Sequence, residues 1–264
     1  MVASVRDSIA TITAGASGSI DVDYTGLTHS TSDILYLFVC GYTSIETPVD
    51  ATLTWTQRLS DSNAGPFGVD VVAKVFTAVS DGSADSFTLA VGLDDQYAYA
   101  FVSVQGVDFD SPVDGTPGIS SEAFGTVANP TAPSISPTGS DSLLICAVST
   151  WPSNGAPAGS HTPPGDLTER EDWDAWDYGA VATAELVASG ATGTKVFTES
   201  GAEGGTSAWI AASIAIKTAT AAAFTGTLAL TQADQTLAAS NWPPDDDSEA
   251  VLGDRPARSN LRLA

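Results

Sequence analysis

The chain repeats itself, and this constrains its fold more than any other feature. Ser32-Asp33-Ile34-Leu35-Tyr36-Leu37-Phe38-Val39 returns as Ser140-Asp141-Ser142-Leu143-Leu144-Ile145-Cys146-Ala147, an offset of 140 − 32 = 108. Gly68-Val69-Asp70-Val71-Val72-Ala73-Lys74-Val75 returns as Gly179-Ala180-Val181-Ala182-Thr183-Ala184-Glu185-Leu186, an offset of 179 − 68 = 111. Tyr97-Ala98-Tyr99-Ala100-Phe101-Val102-Ser103-Val104 returns as Ser207-Ala208-Trp209-Ile210-Ala211-Ala212-Ser213-Ile214, an offset of 207 − 97 = 110. Three strand-like segments in one order at nearly one spacing imply two halves built to one strand plan. In the second pair, Val69, Val71, Ala73 and Val75 correspond to Ala180, Ala182, Ala184 and Leu186 as an inward face, with Lys74 and Glu185 outside.

The remaining segments fit an all-β body. The 24 Gly and 14 Pro punctuate short runs rich in Val, Ile, Thr and aromatics, the texture of a sandwich or barrel. Ile34 to Cys40 is continuously apolar, which predicts a central strand covered on both faces. Residues 8–24 read as two short strands around Gly15-Ala16-Ser17-Gly18, and Leu53 to Arg58 as a strand echoed by Asp166 to Arg170. Asp61 to Pro66 reads as a loop, and Val107 to Pro137 as the crossover between halves, with one short edge strand. No segment before residue 217 sustains a helical period. Residues 1–217 are therefore expected to form one body, and 218–264 an extended arm. That arm holds an Ala/Thr linker, a strand-like Phe224 to Gln232, Trp242, the run Asp245-Asp246-Asp247, and then Arg255, Arg258 and Arg262. Alone, such a segment buries too little apolar area to offset its ordering entropy, so it is expected to be held by another surface.

Charge narrows the partners. At a net −23, with 24 Asp and only three Lys, the surface repels phosphate backbones and excludes nucleic acid as an expected partner. A solvated acidic surface and adaptation to salty surroundings both account for the charge. No run approaches about 18 apolar residues, and Met1 to Val5 opens no secretory signal, so a soluble chain made in a cytoplasm is expected. Cys40 and Cys146 lie in apolar runs and read as buried thiols, with a disulfide between them as the alternative.

Chemistry is harder to find. His29 and His161 sit in loop-like contexts, and there is neither a Gly-x-Ser-x-Gly elbow nor a phosphate-cradling loop, so no enzyme activity and no cofactor are expected. Asp108, Asp110 and Asp114 gather carboxylates in one Pro/Gly turn and form a weak candidate calcium site, with a solvated turn as the competing reading. Asp172-Trp173-Asp174-Ala175-Trp176-Asp177-Tyr178 places aromatics beside carboxylates. Trp173, Asp174, Trp176 and Tyr178 thus form a candidate glycan-binding surface, against the alternatives that Trp176 or Tyr178 caps the core or lies in a subunit contact.

Residues 1–217 resemble the β-rich minor structural proteins of tailed bacteriophages and related viruses. The resemblance rests on Ser32 to Val39, on Phe76-Thr77-Ala78-Val79-Ser80-Asp81-Gly82, and on Tyr97 to Gly106 with Val107-Asp108 and Pro112-Val113-Asp114 following. Thr225 to Ala239 is similar to short Thr/Leu/Ala/Gln segments of virion proteins. It implies a jelly-roll-like antiparallel β-sandwich that decorates a capsid or tail, with partners among other virion proteins and copies of itself. Its implied location is the virion, after synthesis in the host cytoplasm. Arg255, Arg258, Arg262 and Trp242 are the expected assembly contacts of the arm, a trimer is the favoured oligomer, and a host surface glycan is the alternative partner.

Overall fold

The computed structural model describes residues 2–219 apart from 15–17, 51, 84–85, 93–95, 127–128, 153–158, 175–177, 187 and 201–206. By its internal contacts the chain divides into Met1–Ala221 and Ala222–Ala264. The expected arm, with Trp242, Arg255, Arg258 and Arg262, lies outside the described residues.

The first half contributes β1 (Ser4–Ala14), β2 (Ser19–Asp23), β3 (Ile34–Tyr42), β4 (Thr56–Ala64), β5 (Asp70–Val79), β6 (Ser86–Ala90) and β7 (Gln96–Gln105). The second contributes β8 (Gly118–Thr126), β9 (Thr131–Ala132), β10 (Leu143–Pro152), β11 (Ser160–Thr162), β12 (Thr168–Asp174), β13 (Tyr178–Glu185), β14 (Lys195–Val196), β15 (Thr198–Ser200) and β16 (Ser207–Ile216). Among the described residues the only helical turn is the 3-10 segment Pro66–Gly68. Two antiparallel five-stranded sheets result, ordered β1-β7-β3-β5-β4 and β8-β16-β10-β13-β12. Written in this direction the orders correspond strand for strand, so the duplication read in the sequence is a duplication of sheet topology. The fold is an all-β sandwich. The order gives no support to finer jelly-roll wiring, because each sheet draws all five strands from one half of the chain.

Burial explains why the central strands are apolar throughout. β3, β10 and β16 are almost wholly buried, because each lies mid-sheet and is covered on both faces. The inner layer joins Ile34, Tyr36, Phe38 and Cys40 to Leu143, Ile145, Ala147 and Trp151. One outer layer packs Leu35, Leu37 and Phe101 against Ile20 and Val22 of β2 and Phe87 and Leu89 of β6. The other packs Leu144, Cys146 and Val148 against Ala132 of β9 and Phe197. In β2 and β6 buried and exposed residues alternate, as they must in strands that cover a sheet with one face only.

The sheet edges also meet. β4 lies against β8, where Asn63 Nδ2 donates to Ser121 Oγ at 3.2 Å, and β1 lies against β12, where Ser8 Oγ donates to Glu171 Oε1 at 2.6 Å. The two sheets thus touch at both sides of the sandwich through side chains, without backbone pairing between their edge strands among the described residues.

Several expectations need correcting. Ile34 pairs with Val104 as Leu143 pairs with Ile216, so β3 corresponds to β10 at 143 − 34 = 109, not 108. Ser32 and Asp141, which precede these strands, share positive φ values of 78° and 73°. The shared Ser-Asp dipeptide is therefore displaced by one residue in the second half, and a one-residue slip exchanges faces. The same fault affects the β5 segment: Val71, Ala73 and Val75 face the inner core, and so does Val181, whereas Ala180 and Ala182 face the outer layer. For β7 and β16 the ladder gives 216 − 104 = 112; this differs from 110 by a full side-chain period, so the faces agree. Asp61 to Ala64 belong to β4 rather than to a loop. The crossover holds the expected edge strand, β8, and also β9. Both cysteines are free and buried, Cys40 in the inner core and Cys146 in an outer layer, which rules out the disulfide.

Candidate functional site

The repeat also duplicates a polar feature. β4 carries a bulge between Gln57 and Leu59, and β12 one between Glu169 and Glu171; the extra residue is arginine in both. Arg58 Nε donates to Thr77 Oγ1 at 2.7 Å, and Arg170 Nε donates to Thr183 Oγ1 at 2.8 Å. Bulges re-aim a side chain, and here both arginines turn toward a buried threonine on the neighbouring strand.

A cavity opens beside each arginine. The first, of about 190 Å³, is lined by Ile34, Thr54, Thr56, Arg58, Thr77, Ala78 and Val79, and by Phe109, Asp110 and Pro112 of the segment before β8. The second, of about 410 Å³, is lined by Ser4, Val5, Leu143, Asp166, Thr168, Arg170, Thr183, Ala184 and Glu185. Most of the lining corresponds through the repeat: Ile34 with Leu143, Thr56 with Thr168, Thr77 with Thr183, and Ala78 with Ala184. Two replacements change the charge, because Asp166 stands where the first half has Thr54, and Glu185 where it has Val79.

Among the described cations, these two arginines and Lys74 lack a carboxylate partner. Arg6 forks onto Asp33 at 2.6 and 3.2 Å, Lys217 pairs with Asp108 at 2.8 Å, and Lys195 pairs with Asp166. Neither Arg58 nor Arg170 has a carboxylate within 4.0 Å among the described residues. Arg58 is half-buried, and that desolvation lowers its pKa from the ordinary arginine value, whereas Arg170 is exposed. After Thr77 takes the Nε hydrogen, the Nη hydrogens of Arg58 have no partner among the described residues. Such a group can bind an anion or a row of hydroxyl oxygens.

The residues singled out in the sequence are dispersed. Trp173 is buried in the inner core, its ring 6.1 Å from Phe38, so it offers no face to a sugar. Its indole fills the space over Gly179, where a Cβ would come within 2.2 Å of it. Asp174 is exposed at the end of β12, while Trp176 and the side chain of Tyr178 lie outside the described residues.

The candidate calcium carboxylates do not converge either. Asp114 is buried and accepts from Ser142 Oγ and Thr138 Oγ1, both at 2.6 Å, and from the backbone N–H groups of Thr138 and Gly139, both at 2.9 Å. Burial alone would raise its pKa, but these four bonds prevail and hold it at about 2. Asp108 is engaged by Lys217, and Asp110 is exposed. No group of three His, Cys, Asp or Glu suited to a metal occurs among the described residues.

His29 is a loop residue, with Nδ1 2.7 Å from Ser80 Oγ. His161, expected in a loop, lies instead in β11, with Nε2 2.9 Å from Thr150 Oγ1. Burial lowers its pKa to about 3, so its ring is neutral at neutral pH. Asp172, although exposed on β12, shows the opposite perturbation: desolvation, then Glu169 and Asp174, raise it to about 6.

The arginine pair escaped sequence reading although its signal was present. The echo of Thr56-Gln57-Arg58 in Thr168-Glu169-Arg170 repeats one of only six arginines at a matching position. No known protein family, curated protein or solved structure matches the chain.

Proposed function

We propose that this chain is a structural component of a tailed-virus particle, its sandwich displayed on the capsid or tail surface and its C-terminal arm gripped by neighbouring subunits. The carrying observation is that Met1–Ala221 is a compact unit by its own contacts. Both outer faces of the sandwich are covered from within residues 2–219, and both pairs of sheet edges meet. By internal contacts the chain divides into Met1–Ala221 and Ala222–Ala264. A compact body with a further 43 residues, 264 − 221, suits a protein anchored by a peptide rather than through its globular face.

Charge fits the same reading. The arm holds three of the nine cations, Arg255, Arg258 and Arg262, in a chain of net −23. Residues 218–264 carry six acids against these three arginines, so it is the last ten residues, 255–264, that are cationic and can engage an acidic subunit. Trp242 would add the kind of aromatic anchor enriched in interfaces.

The test is assembly with a chain lacking residues 240–264. The truncated chain should fold as the full one does, by circular dichroism and melting, yet be missing from purified particles. Its normal incorporation would refute the role given to the arm.

A further inference from the structure

We propose that the cavity beside Arg58 binds the terminal acidic sugar of a glycan, the carboxylate on the guanidinium and the hydroxyls on the surrounding threonines and Asp110. The repeat supplies an internal comparison. Both halves aim a bulge arginine at a threonine and open a cavity beside it, but only the second surrounds it with Asp166 and Glu185. In the first half those positions are Thr54 and Val79, and Asp110 is the one acid among the described lining residues, whereas Arg170 is flanked by Asp166, itself paired with Lys195, and by Glu185.

Three further features select the ligand class. Arg58 is half-buried with its Nη hydrogens unpartnered, and a planar guanidinium matches a carboxylate in bidentate geometry. Phe109 is 46% exposed at the cavity wall beside Pro112, a ring available to the apolar face of a sugar. At about 190 Å³ the cavity is smaller than a typical drug-sized pocket and holds one ring rather than a chain of them. Asp110 is exposed in the same wall without pairing to Arg58, and so remains an acceptor for ring hydroxyls.

The experiment uses the full chain and follows arginine Nε–Hε resonances by NMR during titration with D-glucuronate, with D-glucose and acetate as the neutral and sugarless probes. Glucuronate should shift the Arg58 resonance saturably, together with the amides of residues 54–58 and 109–111. Glucose and acetate should each bind at least about tenfold more weakly, since each loses one set of charged or hydroxyl contacts. Arg58→Gln should weaken glucuronate about tenfold or more, and Arg58→Lys should recover part of it. Arg170→Gln should leave it unchanged. The wild-type titration reads the site even if an Arg58 variant folds poorly. No saturable shift at Arg58, equal affinity for acetate, or an equal loss in Arg170→Gln would each overturn the assignment.

Discussion

At the residue scale, the two halves solve one problem with different chemistry. Asp33, just before β3, accepts Arg6 and the Ser30 N–H, the latter at 2.8 Å. Ser142 occupies the corresponding place before β10, and there the carboxylate comes from Asp114 on the preceding segment, accepting Gly139 N–H. Each site satisfies a buried carboxylate, as it must. Because Asp114 is held at about 2, below the ordinary 3.8, its contribution is fully present above about pH 4 and is lost as pH falls through 2. Asp114→Ala should cost roughly 2–3 kcal/mol at pH 7, from the lost charged bonds and orphaned N–H groups, measurable by urea melts. Asp172 works with the opposite sign. Raised to about 6, it binds its proton more readily when folded, so stability falls as pH rises from about 4 to 6. Asp172→Asn should remove that decline and raise the melting temperature at pH 7. Gly179→Ala tests packing directly: the new Cβ would lie 2.2 Å from the Trp173 ring and 2.3 Å from the Val148 carbonyl oxygen. It should cost about 3 kcal/mol or leave the chain unfolded.

At the element scale, what the sequence made legible was strand type and order, because apolar runs and Gly/Pro turns report burial directly. β3, β10 and β16 are apolar along their whole length and sit mid-sheet. Register was not legible. A shared Ser-Asp dipeptide is a stronger visual match than the positive-φ turn that sets the true alignment, and a continuously apolar strand does not show which of its faces points inward. β4 hid for a related reason, since Asp61, Ser62 and Asn63 look like loop residues yet occupy an edge where polar side chains are tolerated. Trp173 was misread because an acid-flanked tryptophan looks exposed, whereas strand alternation buries it between Asp172 and Asp174. The cysteines test the corrected faces. Burial raises the Cys146 thiol to about 12, and Cys40 lies in a different layer. Mild oxidation should therefore leave the native mass unchanged, with both thiols alkylated only in denaturant; a Cys40–Cys146 crosslink would contradict the register.

At the scale of the whole molecule, duplication produced two sheets of one topology, packed face to face and touching at both edges. The junction is reinforced where the halves end: Thr218 accepts the Ala3 N–H and donates to the Asp141 carbonyl, and the Ala219 N–H donates to the Gly106 carbonyl at 2.8 Å. A chain ending at residue 221 keeps every one of these bonds. It should melt within about 2–4 °C of the full chain, the shift that roughly 1 kcal/mol produces at this size. A much larger loss would mean that the arm belongs to the body after all. The proposed virion role is tested most directly by the copy number of the full chain in purified virus particles, by quantitative mass spectrometry. The account predicts a fixed, symmetric multiple per particle that survives stringent purification; a chain found only in the soluble fraction would contradict it.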